Sequence, residues 1–258
     1  SNTVDISSNF SYLNTDFFTQ FIPDGFPITG IVTGNFNLKS EGSSPLYEFD
    51  LTMKNGFYDK IDLGNVSVEG FYRNNTLTFD SFSTTNSEGN ITGSASLPME
   101  LDYNSIDFGK KVLNKPVDIT VLGSFNHMDF LTEYLSITDS LRGKVKIELS
   151  INGGWEQLIR NGKISLEDCR LYTSTLGDPI TKIDGRGTLK KNILNIDQLQ
   201  CIKSGNKLVD KNIFVNGSVD LTHFFNPNYD LLIAGENILF KSLTDEMKGD
   251  VNIDLNIS

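Results

Sequence analysis

The chain has 258 residues, 38% of them hydrophobic, and a formal net charge of −11 from 22 Lys plus Arg against 33 Asp plus Glu. That apolar content excludes a disordered chain, and no basic run is longer than a pair, which excludes a nucleic-acid binder. No apolar run approaches the roughly 18 residues of a bilayer-spanning helix.

Only two residues are alanine, while 26 are asparagine, 22 glycine, 18 phenylalanine and 8 tyrosine. Ala favours helix, Asn and Gly favour turns, and Phe, Tyr, Val and Ile favour strands. The expected fold is therefore all-β, an elongated curved sheet of repeated units with few short helices.

In chain order, the first strand-like stretch is followed by a predicted two-turn helix from Asn14 to Phe21, capped by Asn14. Apolar residues then alternate with polar ones at Val32, Gly34, Phe36 and Leu38, and at Tyr47, Phe49, Leu51 and Met53. The same period continues at Val66, Val68 and Gly70, at Leu77 and Phe79, and at Ile91, Gly93, Ala95 and Leu97. Period two gives one apolar and one wet face. Asn126 to Leu135 reads as a second short helix, and Trp155 to Arg160, after Gly153-Gly154, as a single helical turn. Strand alternation surrounds that turn, at Val145, Ile147, Leu149 and Ile151 and at Ile164 and Leu166. Later strands hold Leu194 and Ile196, then Ile213, Val215, Gly217, Val219 and Leu221, then Leu231 and Ile233. Turns are predicted at Asn55-Gly56, Arg73-Asn74-Asn75, Ser87-Glu88-Gly89, Lys190-Lys191-Asn192 and Ser204-Gly205-Asn206.

The sequence repeats. Displaced by 113 residues, nine of the 33 positions from Val4 to Phe36 are identical, including Val4-Asp5-Ile6 on Val117-Asp118-Ile119 and Gly30 on Gly143. Ile28-Thr29-Gly30-Ile31-Val32, Leu141-Arg142-Gly143-Lys144-Val145 and Met247-Lys248-Gly249-Asp250-Val251 share one pattern. The expected organisation is the tail of a preceding unit (1–27), two units (28–140 and 141–246), and the first strand of another (247–258). Both ends fall inside units, so a window of a longer array is expected.

With no long amphipathic helix to cover it, the apolar face must close on itself, meet a second sheet or hold an apolar ligand. The candidate ligand-lining residues are Phe36, Phe49, Leu51, Val68, Phe79, Val145, Ile147, Leu149, Ile164, Leu166, Ile196, Val215, Val219 and Ile233. Glycines at inward positions (Gly34, Gly70, Gly93, Gly217) favour an open groove, although a bulge or bend would also require them.

Enzyme signatures are missing: no H-E-x-x-H, G-x-S-x-G, phosphate-binding loop or G-x-G-x-x-G occurs. The two histidines, His127 and His223, occupy unrelated repeat positions, and the carboxylates sit on wet strand faces or in turns. No catalytic residue, metal site or cofactor is expected. Cys169 and Cys201 are read as two buried thiols or one disulfide, with no C-x-x-C between them. Trp155 beside Glu156 lends slight support to a secreted polysaccharide-binding protein.

The recurrent start in Leu141-Arg142-Gly143-Lys144-Val145-Lys146-Ile147 resembles the AsmA/TamB group of bacterial envelope proteins. So do Gly217-Ser218-Val219-Asp220-Leu221, continued by Pro227 to Ile233, and Gly162 to Asp168, continued by Pro179-Ile180 and Ile183-Asp184-Gly185. The resemblance implies a U-shaped β-trough with an apolar interior, holding phospholipid or other acyl lipid in the periplasm between the inner and outer membranes. It also implies an inner-membrane anchor outside this sequence and, in one branch, an outer-membrane barrel protein as partner. The alternative within the same resemblance is a scaffold for outer-membrane protein assembly, acting through free sheet edges.

Overall fold

The computed structural model describes residues 3–15, 28–41, 44–100, 110–129, 139–173, 179–203, 210–223, 226–241 and 248–257. Strand accounts for 84% of them. The strands are β1 (Thr3–Asn14), β2 (Ile28–Glu41), β3 (Ser44–Tyr58), β4 (Ile61–Arg73), β5 (Thr76–Thr85), β6 (Gly89–Glu100), β7 (Lys110–Lys111) and β8 (Val117–His127). They continue as β9 (Ser140–Gly154), β10 (Gln157–Tyr172), β11 (Ile180–Lys190), β12 (Ile193–Ile202), β13 (Ile213–Asp220), β14 (Asn228–Lys241) and β15 (Lys248–Ile257). The sheet is antiparallel and not closed. Its strands follow one another in chain order, with only the two-residue β7 off the path, paired to β6.

Turn chemistry explains the hairpins. Asn74 and Asn75 between β4 and β5, and Lys191 and Asn192 between β11 and β12, all have positive φ (51°, 55°, 48° and 73°). Two successive left-handed residues match the twist of the flanking strands. Asn55-Gly56, by contrast, is no hairpin turn. Asn55 takes φ 50° within β3, at a register shift against β4 between Met53 and Gly56, and the chain reverses at Asp59-Lys60 instead. The expected helical turn at Trp155 to Arg160 is likewise replaced by strand: β9 and β10 are joined at Trp155-Glu156. Residues 16–21, 130–135 and 204–206 lie outside the described residues, and with them most of the other two predicted helices and one predicted turn. Asn126 and His127 belong to β8.

The chain divides into two compact units, one of Ser1–Leu122 with Ser150–Ile159, the other of Gly123–Leu149 with Arg160–Ser258. In unit 1 the loop between β9 and β10 is tied down by Trp155, whose indole N–H donates to the Pro98 carbonyl at 2.8 Å. The Lys111 ammonium lies 5.2 Å from the same ring, and the Asn152 amide donates to Asp118 at 2.9 Å. Trp155 is thus an anchor and not an exposed platform. Met53, Tyr72 and Val117 are buried hydrophobic residues of this unit, Val117 the most deeply of the three at 1% exposed. In unit 2 the fully buried side chains are Val145 and Cys169. Asn212 staples its later strands: the amide donates to the carbonyls of Lys203, Glu236 and Asn237, and its Oδ1 accepts from the Lys203 amide at 2.9 Å.

The 113-residue displacement carries the start and end of β8 onto Val4 and Asn14 of β1. Each unit also contains the same local device. In β5, Phe79 and Phe82 flank a register shift; in β12, Ile196 and Leu199 do. Each pair encloses two exposed polar residues, Asp80-Ser81 and Asp197-Gln198.

Candidate functional site

Directly paired residues on adjacent strands share a sheet face. In unit 1 one row reads Phe36, Phe49, Gly70, Phe79, Ala95 across β2 to β6. The next reads Gly34, Leu51, Val68, Phe82, Gly93. Five expected lining residues of this unit (Phe36, Phe49, Leu51, Val68 and Phe79) therefore lie on one face, each half-buried.

That face is aromatic. Phe36 stacks on Tyr47 with ring centroids 5.8 Å apart, Tyr47 lies 5.7 Å from Tyr72, and Phe49 meets Phe79 edge to face at 5.8 Å. The inward glycines make room for this. A Cβ on Gly70 would stand 2.1 Å from the Thr78 carbonyl oxygen and 3.0 Å from the Phe49 ring. One on Gly93 would stand 2.4 Å from the Phe82 ring. These positions are close approaches filled by neighbouring rings and backbone, rather than open gaps.

In unit 2 the corresponding face is aliphatic. One row runs Leu166, Gly185, Leu199, Val215, Ile233, Leu255 over β10 to β15, and another Ile164, Gly187, Ile196, Gly217, Leu231, Ile257. A third pairs Leu189 with Leu194, Leu194 with Val219 and Val219 with Tyr229. Ile164, Leu166, Leu194, Ile196 and Leu199 surround an apolar hollow floored by Gly185 and Gly187. Ile147, Leu149, Val215, Val219 and Ile233 are half-buried. Val145 differs: it is 1% exposed and belongs to the packed core. Among the described residues, no helix or second sheet lies over these rows in either unit.

Leu199 and Phe82 were not picked out from the sequence. Each stands three residues after its apolar neighbour, out of phase, because the bulge between inserts one extra residue. Tyr47 belongs to the alternation of Phe49 and Leu51, and Tyr72, paired opposite it on β4, was not picked out from the sequence.

The opposite face is polar. Lys39 meets Glu48 at 3.5 Å in unit 1, and Lys144 meets Glu167 at 3.4 Å in unit 2. In unit 2, Lys211 contacts Asp184 at 2.5 Å, and Asp184 accepts from the Asp168 amide at 2.8 Å. The Lys211 hydrogen bond and the Asp168 amide hold the Asp184 carboxyl below its ordinary range. Both cysteines are free and buried. Burial pushes the Cys201 thiol up to about 11 and raises that of Cys169 as well. His127 Nδ1 lies 3.5 Å from Asp129, while His223 is in an exposed turn after β13.

In comparisons with protein-family models, curated proteins and solved structures, nothing matches this chain.

Proposed function

We propose that this chain holds the acyl chains of phospholipid or a similar lipid against the apolar sheet face, as part of a lipid-transfer bridge in the bacterial periplasm. One observation carries the reading: rows of half-buried apolar side chains, spaced by glycines, run strand after strand with no helix or second sheet over them among the described residues. Each CH₂ moved from water to an apolar wall gains about 0.8 kcal/mol. A face that covers one side of a 16-carbon chain therefore offers roughly 6 kcal/mol, enough to bind and little enough to release. Aliphatic walls without fixed polar partners discriminate weakly between chains, which suits a carrier of mixed lipids. No catalytic group is required. The sequence resemblance supplies the setting: inner-membrane attachment through a segment outside this sequence, and an outer-membrane barrel protein as partner.

The test is site-specific photo-crosslinking in cells. A photoreactive residue at Phe49 or Leu166 should capture lipid, identified by mass spectrometry, and one at Asp50 or Glu167 should not. Equal labelling of the two sets would remove the reading.

A further inference from the structure

One recess on the polar face of unit 2 is a small positive region on a chain whose net charge is −11. Ser165 of β10 stands directly opposite Arg186 of β11, and Arg186 opposite Gln198 of β12. Lys146 of β9 lines the same recess. The other charged residues that line it are already paired. Lys144 meets Glu167, and Lys211 meets Asp184, whose carboxyl is thereby kept ionised. Asp197, on the bulge of β12, is not among the lining residues and accepts a hydrogen bond from the Thr188 hydroxyl at 2.7 Å. Lys146 and Arg186 remain as two cations with no ion pair or hydrogen bond among the described residues. Both are exposed at the recess and flank a hydroxyl and an amide that can donate.

We propose that this recess binds a phosphate group. A guanidinium presents a planar fork of donors suited to two oxygens of one phosphate, and an ammonium adds a point charge. The Ser165 hydroxyl and the Gln198 amide can satisfy the remaining oxygens. A carboxylate has only two oxygens and would leave part of this donor set unused. Ser165, Arg186 and Gln198 alternate with the Leu166, Gly185, Leu199 row, although Leu166 and Gly185 also line the recess, so the charged site does not depend on the acyl-binding reading, and either can fail alone. Free phosphate and a lipid phosphate at a membrane surface share this chemistry.

The experiment has two arms. In the first, inorganic phosphate is titrated into the isotope-labelled chain at fixed ionic strength, with chloride as control. The amide resonances of Ser165 and Arg186 should shift saturably. In the second, vesicles of phosphatidylglycerol and phosphatidylcholine in equal parts are sedimented with the protein, against phosphatidylcholine alone. Lys146→Gln combined with Arg186→Gln, which keeps chain length and polarity, should weaken binding at least tenfold in whichever arm is positive. Lys54→Gln, on the other unit, should not. A response in the first arm identifies a free phosphate site, and one in the second alone identifies a lipid headgroup. No saturable binding in either arm, or undiminished binding by the double variant, overturns the proposal.

Discussion

Phe49 of β3 and Phe79 of β5 are separated by a whole strand, yet their rings meet edge to face at 5.8 Å above Gly70 of β4. The missing side chain of Gly70 brings them together. Gly70→Ala would place a methyl carbon 2.1 Å from the Thr78 carbonyl oxygen, which a strand pair can relieve only by moving apart. The expected loss is about 2 kcal/mol, in the range of overpacking changes. Gly154→Ala, where the nearest atom would be 3.9 Å away, should leave stability within about 0.5 kcal/mol. Urea midpoints of the two variants measure the difference.

A charge on the apolar face should be tolerated or fatal according to position. Val145 is 1% exposed, so Val145→Asp buries an unpaired carboxylate at a cost of several kcal/mol and should unfold the later strands. Leu166 lies half-exposed beside the hollow. The carboxylate of Leu166→Asp can reach water, so its thermal midpoint should fall by a few degrees only. Its bound lipid, measured by mass spectrometry of extracts, should fall sharply. A folded Leu166→Asp variant with full lipid content would contradict the acyl-binding reading.

Acid should erase the contribution of Asp184. Its carboxyl is held below the ordinary value of about 3.9 by Lys211 and the Asp168 amide. Stabilisation from a depressed carboxyl is complete above the unfolded value and disappears as pH falls through the folded one. The stability difference between the parent chain and Asp184→Asn should therefore be constant above about pH 5 and shrink steadily below pH 4. Denaturation midpoints between pH 2 and 7 would show it. The side chain is 41% exposed, so the plateau should be small.

The thiols should be silent in the folded chain. Cys169 lies on β10 and Cys201 on β12, with β11 between them. Two strand spacings come to about 9.6 Å, beyond the reach of a disulfide. With the Cys201 thiol at about 11, very little thiolate exists at pH 8. Iodoacetamide should label neither cysteine quickly until denaturant is added, and intact mass after mild oxidation should show no loss of two hydrogens.

Strand positions were legible because period-two alternation reports a one-sided sheet directly. The bulges were not. The step from Ile196 to Leu199 looks like a lapse in alternation, since nothing local shows that the partner strand pairs Gly187 with one and Gly185 with the other. Asn55-Gly56 carries strong turn chemistry, but the same left-handed preference also serves a bulge inside a strand. Trp155 to Arg160 follows two glycines and lacks alternation, as a short helix would. What fixes it as strand is the hold of Trp155 on Pro98, 57 residues away. Thirteen of the expected lining residues fall on half-buried positions of an apolar face, whereas the depth of Val145 depends on packing that alternation does not record.

Because sheet order follows chain order, each strand meets its partner as soon as its successor exists. Hairpins closed by Asn74-Asn75 and Lys191-Asn192 need the smallest possible loops, where ring-closure entropy is lowest. All-β proteins are slow to fold mainly when their pairings are distant in sequence. Here the pairings on the path join successive strands, except that β6 waits past the two-residue β7 for β8. A chain emerging from its N-terminus can add strands one after another to a growing edge, and assembly can proceed vectorially rather than awaiting the whole polypeptide.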